Sequence, residues 1–370
     1  MKITSLLAAA GLGLAAAGEV VPLKDVYPFK IGTCVNARQV AAPSPAEERL
    51  LAGTFNTLTP ENELKPVSVQ PREGEWRFAA GDRFVAFAER HGMAPIGHCL
   101  VWHSQVGAWM FRGGDGARAS RALALARMRT HIHAVVGRYR GRIKGWDVVN
   151  EALADDGSLR RSPWLECVGP DYIEWAFRYA READPGCELY YNDYGLDNPR
   201  KRAGALRLVR ELKAKGLRLD AVGMQTHHRL KAPSLKDYEA SLAAFAAAGV
   251  KVMATEVDVS VLPAAWGLSA DVARQAGYAA RYDPYRSGLP PEKQRELAER
   301  YCALFAIYLR HADAVTRVTF WGFCDRSSWL NNFPVRGRVD HPLLYDRDLA
   351  PKPCARALAA RAPSPMENGK

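Results

Sequence analysis

Short apolar runs of strand length recur along the chain, and most are followed by stretches whose apolar residues return every three or four positions. The runs end near Cys34, Leu58, His98, Val149, Tyr191, Met224, Thr255 and Phe320. The helical stretches between them include residues 82–91, 120–139, 170–182, 200–215, 236–248 and 291–311. Eight strands alternating with helices in one chain predict a closed parallel barrel, an α/β TIM (β/α)8 fold in a single catalytic domain, with an open doubly wound sheet as the alternative.

The polar residues at the strand ends favour the barrel. The second strand runs into Thr59-Pro-Glu-Asn-Glu-Leu-Lys65, and the third into His98-Cys-Leu-Val-Trp-His-Ser-Gln105. The fifth leads to Asn192-Asp-Tyr194, the sixth to Gln225-Thr-His-His228 and the eighth to Trp321. Glu151, in Gly145-Trp-Asp-Val-Val-Asn-Glu151, and Glu256, in Val252-Met-Ala-Thr-Glu256, follow the fourth and seventh runs. In a barrel all of these share the C-terminal rim, where such enzymes keep their chemistry. Taken singly, a Glu after a strand is also an ordinary helix N-cap. Together, two strand-end carboxylates are what glycoside hydrolysis needs: one protonates the leaving sugar oxygen, and the other attacks the anomeric carbon or activates water. The surrounding amides and rings suit a polyhydroxylated ligand gripped by hydrogen bonds and stacking.

Composition narrows this picture. The 370 residues suit one barrel domain, expected over 18–361, with a flexible tail at 362–370. Residues 1–17 combine a basic start, a short apolar core and Ala15-Ala-Ala17, and read as a signal peptide, so the protein is expected to be secreted or periplasmic. The net charge of +11 comes from Arg residues scattered beside Glu and Asp on predicted helices, the look of solvated faces, so neither nucleic acid nor membrane is expected as a partner. No metal or cofactor motif stands out: His-Glu-x-x-His is absent, and the glycines at Gly11 and Gly13 lie inside the signal. The seven cysteines have no close pairs and read mostly as small buried hydrophobes. A monomer is expected.

The motifs above, with Thr255-Glu-Val-Asp258 and Thr319-Phe-Trp-Gly322, resemble the signatures of glycoside hydrolase family 10, the endo-β-1,4-xylanases, in order over roughly Leu23 to Ala359. The resemblance implies xylan and xylo-oligosaccharides as substrates, cleaved with retention, which requires carboxyls about 5–5.5 Å apart. It makes Glu151 the acid/base and Glu256 the nucleophile, with His227 bonding Glu256, Asp258 holding the ring, and Asn150 meeting the sugar 2-hydroxyl. Glu61, Asn62, Lys65, His98, Trp102 and Gln105 become the sugar-binding wall on the non-reducing side. Gln225 and Asn192 fall near the scissile bond, Tyr194 toward the aglycone, and Trp321 and Trp329 form an aromatic floor or cover. Trp146 reads as barrel core instead. Pro66 and Cys99 stand where many relatives carry Trp and Thr, which bears on sugar affinity and not on the carboxylates. Action on another β-1,4-glycan, or sugar binding without catalysis, are the competing readings; the second would often have cost one glutamate.

Overall fold

The structure, a computed structural model, describes residues 18–264 and 281–360. The predicted signal at 1–17, the tail, and Trp266 within the Tyr- and Arg-rich loop before the last long helix lie outside the described residues.

Nine strands are described: β1 (Lys30–Val35), β2 (Thr57–Pro60), β3 (Ala94–Trp102), β4 (Gly145–Asn150), β5 (Glu188–Asp193), β6 (Ala221–Met224), β7 (His227–Arg229), β8 (Lys251–Ser260) and β9 (Val315–Phe320). They run in the order β6-β5-β4-β3-β2-β1-β9-β8-β7, every pair parallel, and pairing of β6 with β8 closes the barrel. The sequence predicts eight of these strands, each ending within a few residues of its observed end. The ninth, β7, is a short ribbon on the outer end of β8 that sets His227 opposite Asp258.

Side chains alternate between two cores because the strands are sandwiched. Ile96, Tyr190, Ala221 and Met253 fill the barrel interior. Leu189, Tyr191, Val252 and Ala254, their neighbours along the strands, join the larger core under the helices. Trp146 is buried, as expected, and its indole lies where a Cβ on residue 97 would stand, which is why that position is Gly. Truncating a buried Trp of this kind to Ala typically costs about 3–5 kcal/mol.

Helices cover the barrel between strands, and several start at caps written into the sequence. Ser44 and Glu47 form a reciprocal capping box on the helix Pro45–Thr54. Ser162 and Asn198 cap helices that begin with Pro163 and Pro199. The Arg-rich helices are tied outside the core: Arg138 pairs with Asp82 at 2.6 Å, Arg129 with Glu182 at 3.3 Å and Arg310 with Glu239 at 2.8 Å. Exposed pairs like these add about 0–1 kcal/mol each, so the basic excess is largely a property of the outer shell. All seven cysteines are free and buried.

Strand register slips at three places that matter for the site. Pairing is irregular between His98 and Val101 on β3, between Asp147 and Val149 on β4, and between Ala254 and Val257 on β8. On β8 both Ala254 and Val257 belong to the helix-side core, so the two residues between them, Thr255 and Glu256, turn inward together. Bulges of this kind re-aim side chains beside functional sites.

Candidate active site

A cleft of about 1000 Å³ opens on the C-terminal rim. Glu151, Glu256, Asn150, Gln225, His227, Glu61, Asn62, Lys65, His98, Trp102, Gln105, Tyr194, Trp321 and Trp329 all line it. Three of the four described non-glycine residues with positive φ stand here as well: Gln105, Glu151 and Thr226. Each such conformation costs about 1–3 kcal/mol and persists only where neighbours enforce it.

Glu151 leaves β4 with φ +57°. Its N–H donates to the Asn192 carbonyl at 2.8 Å, and its own carbonyl accepts from Arg160 Nε at 3.0 Å. The carboxyl accepts from neutral groups: Trp102 Nε1 at 3.0 Å on one oxygen, and Gln225 Nε2 at 3.0 Å and Asn150 Nδ2 at 3.4 Å on the other.

Glu256 sits deeper. Asn192 Nδ2 donates to one oxygen at 2.8 Å and His227 Nε2 to the other at 3.2 Å. His227 Nδ1 donates to Asp258 at 3.0 Å, and Asp258 also accepts from Trp329 Nε1 at 2.8 Å. With a carboxylate on each side, the imidazole carries both protons. Burial opposes that charge, but Asp258 and Glu256 outweigh it and raise the His227 pKa to about 10. Burial alone would also push the Glu256 carboxyl up. The bond from His227, the positive character of His98 and His227, and the Asn192 amide outweigh it and hold the carboxyl below its ordinary range. The two glutamates are joined through amides: Asn150 Oδ1 accepts from Asn192 at 2.9 Å and from Gln225 at 3.4 Å, so one chain of contacts runs from carboxyl to carboxyl.

On one flank, Lys65 Nζ donates to Asn62 at 3.0 Å and Gln105 at 2.8 Å while lying 5.0 Å from the Trp102 ring. Burial raises the pKa of Glu61 beside them, against the pull of Lys65. His98 donates to or accepts from Asp147 at 2.9 Å and meets Trp321 edge-on at 5.2 Å. On the other flank, Tyr194 accepts from Arg160 at 2.7 Å, and Lys201 Nζ lies 3.4 Å from its ring centroid. Lys201 is wholly buried and paired with Asp193 at 2.9 Å.

Two expected residues do not face the cleft. Asp258 lies behind His227, as anticipated. Asn192, expected among the sugar-binding residues, is instead fully buried, with Nδ2 committed to Asn150 and Glu256 and Oδ1 accepting from Thr255 at 2.6 Å. Its amide is saturated, so it orients the carboxylate from beneath. Sequence reasoning missed Asp147, Arg160, Lys201 and Phe333. The two basic residues sit in charged stretches that read as solvated surface, and no local signal separates them from it.

A parallel eight-strand barrel with two glutamates linked across an amide- and indole-lined cleft defines a (β/α)8 glycoside hydrolase. The profile of glycosyl hydrolase family 10 matches residues 23–361. The endo-1,4-beta-xylanase A of Xylanibacter ruminicola is 43% identical over 351 residues, 94% of this chain and 95% of that protein. The beta-1,4-xylanase of Dictyoglomus thermophilum is 40% identical, over 90% of this chain and 89% of its own length. Among solved structures, a GH10 endoxylanase retrieved from a sugarcane soil metagenome matches with a TM-score of 0.87 at 42% identity, covering 92% of this chain and 99% of that one. A glutamate-to-alanine mutant of the intracellular xylanase of Thermoanaerobacterium saccharolyticum, in complex with xylotetraose, matches at 0.79 and 35%, covering 92% and 99%. The chain belongs to glycosyl hydrolase family 10, a family of retaining glycoside hydrolases.

Proposed function

We propose that this chain is an exported endo-1,4-β-xylanase that cuts internal β-1,4-xylosidic bonds of xylan by double displacement. The observation that carries the reading is the unlike treatment of two linked carboxyls in one cleft: Glu256 is held ionised by a cation, and Glu151 is held by neutral donors. Glu256 attacks the anomeric carbon while Glu151 gives its proton to the departing glycosidic oxygen, leaving a xylosyl ester on Glu256. Glu151, now a carboxylate, takes a proton from water, which attacks the same carbon and releases Glu256. Two inversions give net retention.

The supports divide the work. His227 and Asp258 keep Glu256 charged before attack, and the charge on Glu256 moves into the ester bond as it forms. Asn150 and Gln225 present amides between the carboxyls, at the height of the sugar 2-hydroxyl. Lys65, Asn62, Gln105 and Glu61 hold hydroxyls on the glycone flank, while Tyr194 and the indoles of Trp321 and Trp329 meet pyranose faces. Export rests on the segment Met1–Ala17 and places the mature protein outside the inner membrane as a monomer, with the barrel at 18–361 and a short tail.

The test is to incubate the protein with glucuronoxylan, neutral arabinoxylan and carboxymethyl cellulose, and to follow the anomeric signals of the first products by NMR. β-configured xylo-oligosaccharides from the two xylans are expected. Products from the cellulose derivative alone, or α-anomers released first, would overturn the reading. N-terminal sequencing of protein from the producing cells should begin after Ala17, and gel filtration should give the monomer mass.

A further inference from the structure

Among the described residues, Phe333 is the large hydrophobic side chain left exposed, at 48%. It is not on the outer shell, where a stray apolar ring needs no explanation, but on the wall of the catalytic cleft. Its ring stacks on Trp329 with centroids 5.4 Å apart and planes at 22°. The row continues inward: Trp329 packs on His227 at 5.0 Å, and His227 bonds Glu256. A line of rings thus leads out from Glu256, each step close to the length of one pyranose in an extended β-1,4 chain.

The backbone beneath the ring is tied down. Phe333 N–H donates to the Trp329 carbonyl at 3.1 Å. Two residues back, Asn331 donates to the Asp325 carbonyl at 2.8 Å and accepts from Arg347 at 2.7 Å and from the Asp340 N–H at 3.1 Å. A ring presented from an anchored loop gives contact area without the entropic cost of ordering it on binding. Asn332, next to it on the cleft wall, adds an amide at the ring's edge.

We propose that Phe333, with Asn332 beside it, forms a stacking shelf for a neutral pyranose, one xylose unit of the chain beyond the unit held at Glu256. The inference rests on the xylanase reading and adds to it a residue that sets the preferred chain length. An apolar face meets the C–H face of the sugar while hydroxyls at the rim reach the amide.

Kinetics on β-1,4-xylo-oligosaccharides of increasing length test it, with wild type, Phe333→Ala and Phe333→Trp compared. Phe333→Ala should lower kcat/KM on xylopentaose about 3- to 10-fold, the worth of one aromatic stacking contact, with the loss shrinking as the chain shortens. Phe333→Trp should keep the wild-type length dependence. The cleavage position on reducing-end-labelled xylopentaose should shift in the Ala variant. A loss of equal size at every length, with Trp329 fluorescence changed, would make Phe333 a prop for Trp329 and overturn the shelf. No loss at any length would overturn it as well. Wild-type protein inert toward every oligosaccharide removes the xylanase reading itself, an outcome distinct from the other two.

Discussion

Glu256 and Glu151 stand on neighbouring parts of one rim, yet their surroundings differ in kind. Around Glu256 the supports are charged and buried: His227 between two carboxylates, with Trp329 closing the far side of Asp258. Around Glu151 the carboxyl meets indole and amide N–H groups, and the cation, Arg160, grips its backbone carbonyl instead. A cation bonded to a carboxylate holds it ionised, which suits a nucleophile and would disable an acid. A group that must gain and lose a proton in each cycle is better fixed through its backbone and neutral donors. The difference teaches that position on the barrel marks both residues as candidates, whereas the charge on their partners separates the roles.

The comparison breaks first at the carboxylates themselves. Glu256→Ala should lower kcat on xylan on the order of 10⁴- to 10⁶-fold, and azide should restore turnover with a glycosyl azide of inverted configuration. Glu151→Ala should lose about 10²- to 10⁴-fold on xylan and far less on aryl xylobiosides with good leaving groups, which need little protonation. Azide should then give the retained product. Exchanged stereochemistry in the two products would exchange the roles.

The charged side can be probed alone. In His227→Ala the cation is gone and burial is left unopposed, so the Glu256 pKa rises and the acid limb of the kcat/KM profile should move up by about 1–3 pH units. An acid limb that stays in place would dissociate His227 from the ionisation of Glu256. The wild type has the matching signature in stability. The folded-state pKa of His227 is raised, so its contribution is full below the ordinary histidine value and fades as pH rises through about 10. Thermal melts between pH 7 and 10.5 should fall more steeply in the wild type than in His227→Ala.

The neutral side calls for a smaller perturbation. Arg160 bonds the Glu151 carbonyl, the Leu153 carbonyl at 3.0 Å and the Tyr194 hydroxyl, tying the acid turn to the aglycone ring. Arg160→Met should cost about tenfold in kcat/KM on xylan and less on activated aryl xylobiosides, because proton delivery and aglycone binding are disturbed while attack is not. Equal losses on both substrates would reduce Arg160 to a structural tie.

Much of the architecture is legible in local pattern. Strand-length apolar runs and the helical periods between them locate eight strands and the six long helices to within a few residues, because burial on both faces leaves parallel strands little choice of composition. The rim residues follow, since the end of a parallel strand can lie only at one mouth of the barrel. The two residues that sequence reasoning placed otherwise, or overlooked in plain view, are instructive. Asn192 belongs to a strand end like Gln225, and nothing in its neighbourhood along the chain tells that its amide is saturated from below. Lys201 looks like any helix lysine, and becomes a buried cation only because Asp193 and the Tyr194 ring arrive from another element.

By itself, then, the sequence determines the barrel, the mouth that carries the chemistry and the pair of glutamates, all of which depend on periodicity and strand ends. Tertiary structure alone decides how those glutamates are aimed and charged. The slips on β3, β4 and β8 break the two-residue alternation that a sequence reader must assume, and β7 brings His227 against Asp258 after the chain turns through Thr226 at φ +65°. The physical reason is that register and ionisation are set by contacts between strands far apart in sequence. A carboxyl's charge at neutral pH depends on which donors and cations the closed barrel places within about 3 Å of it, and that is a property of the closed barrel, not of any one segment.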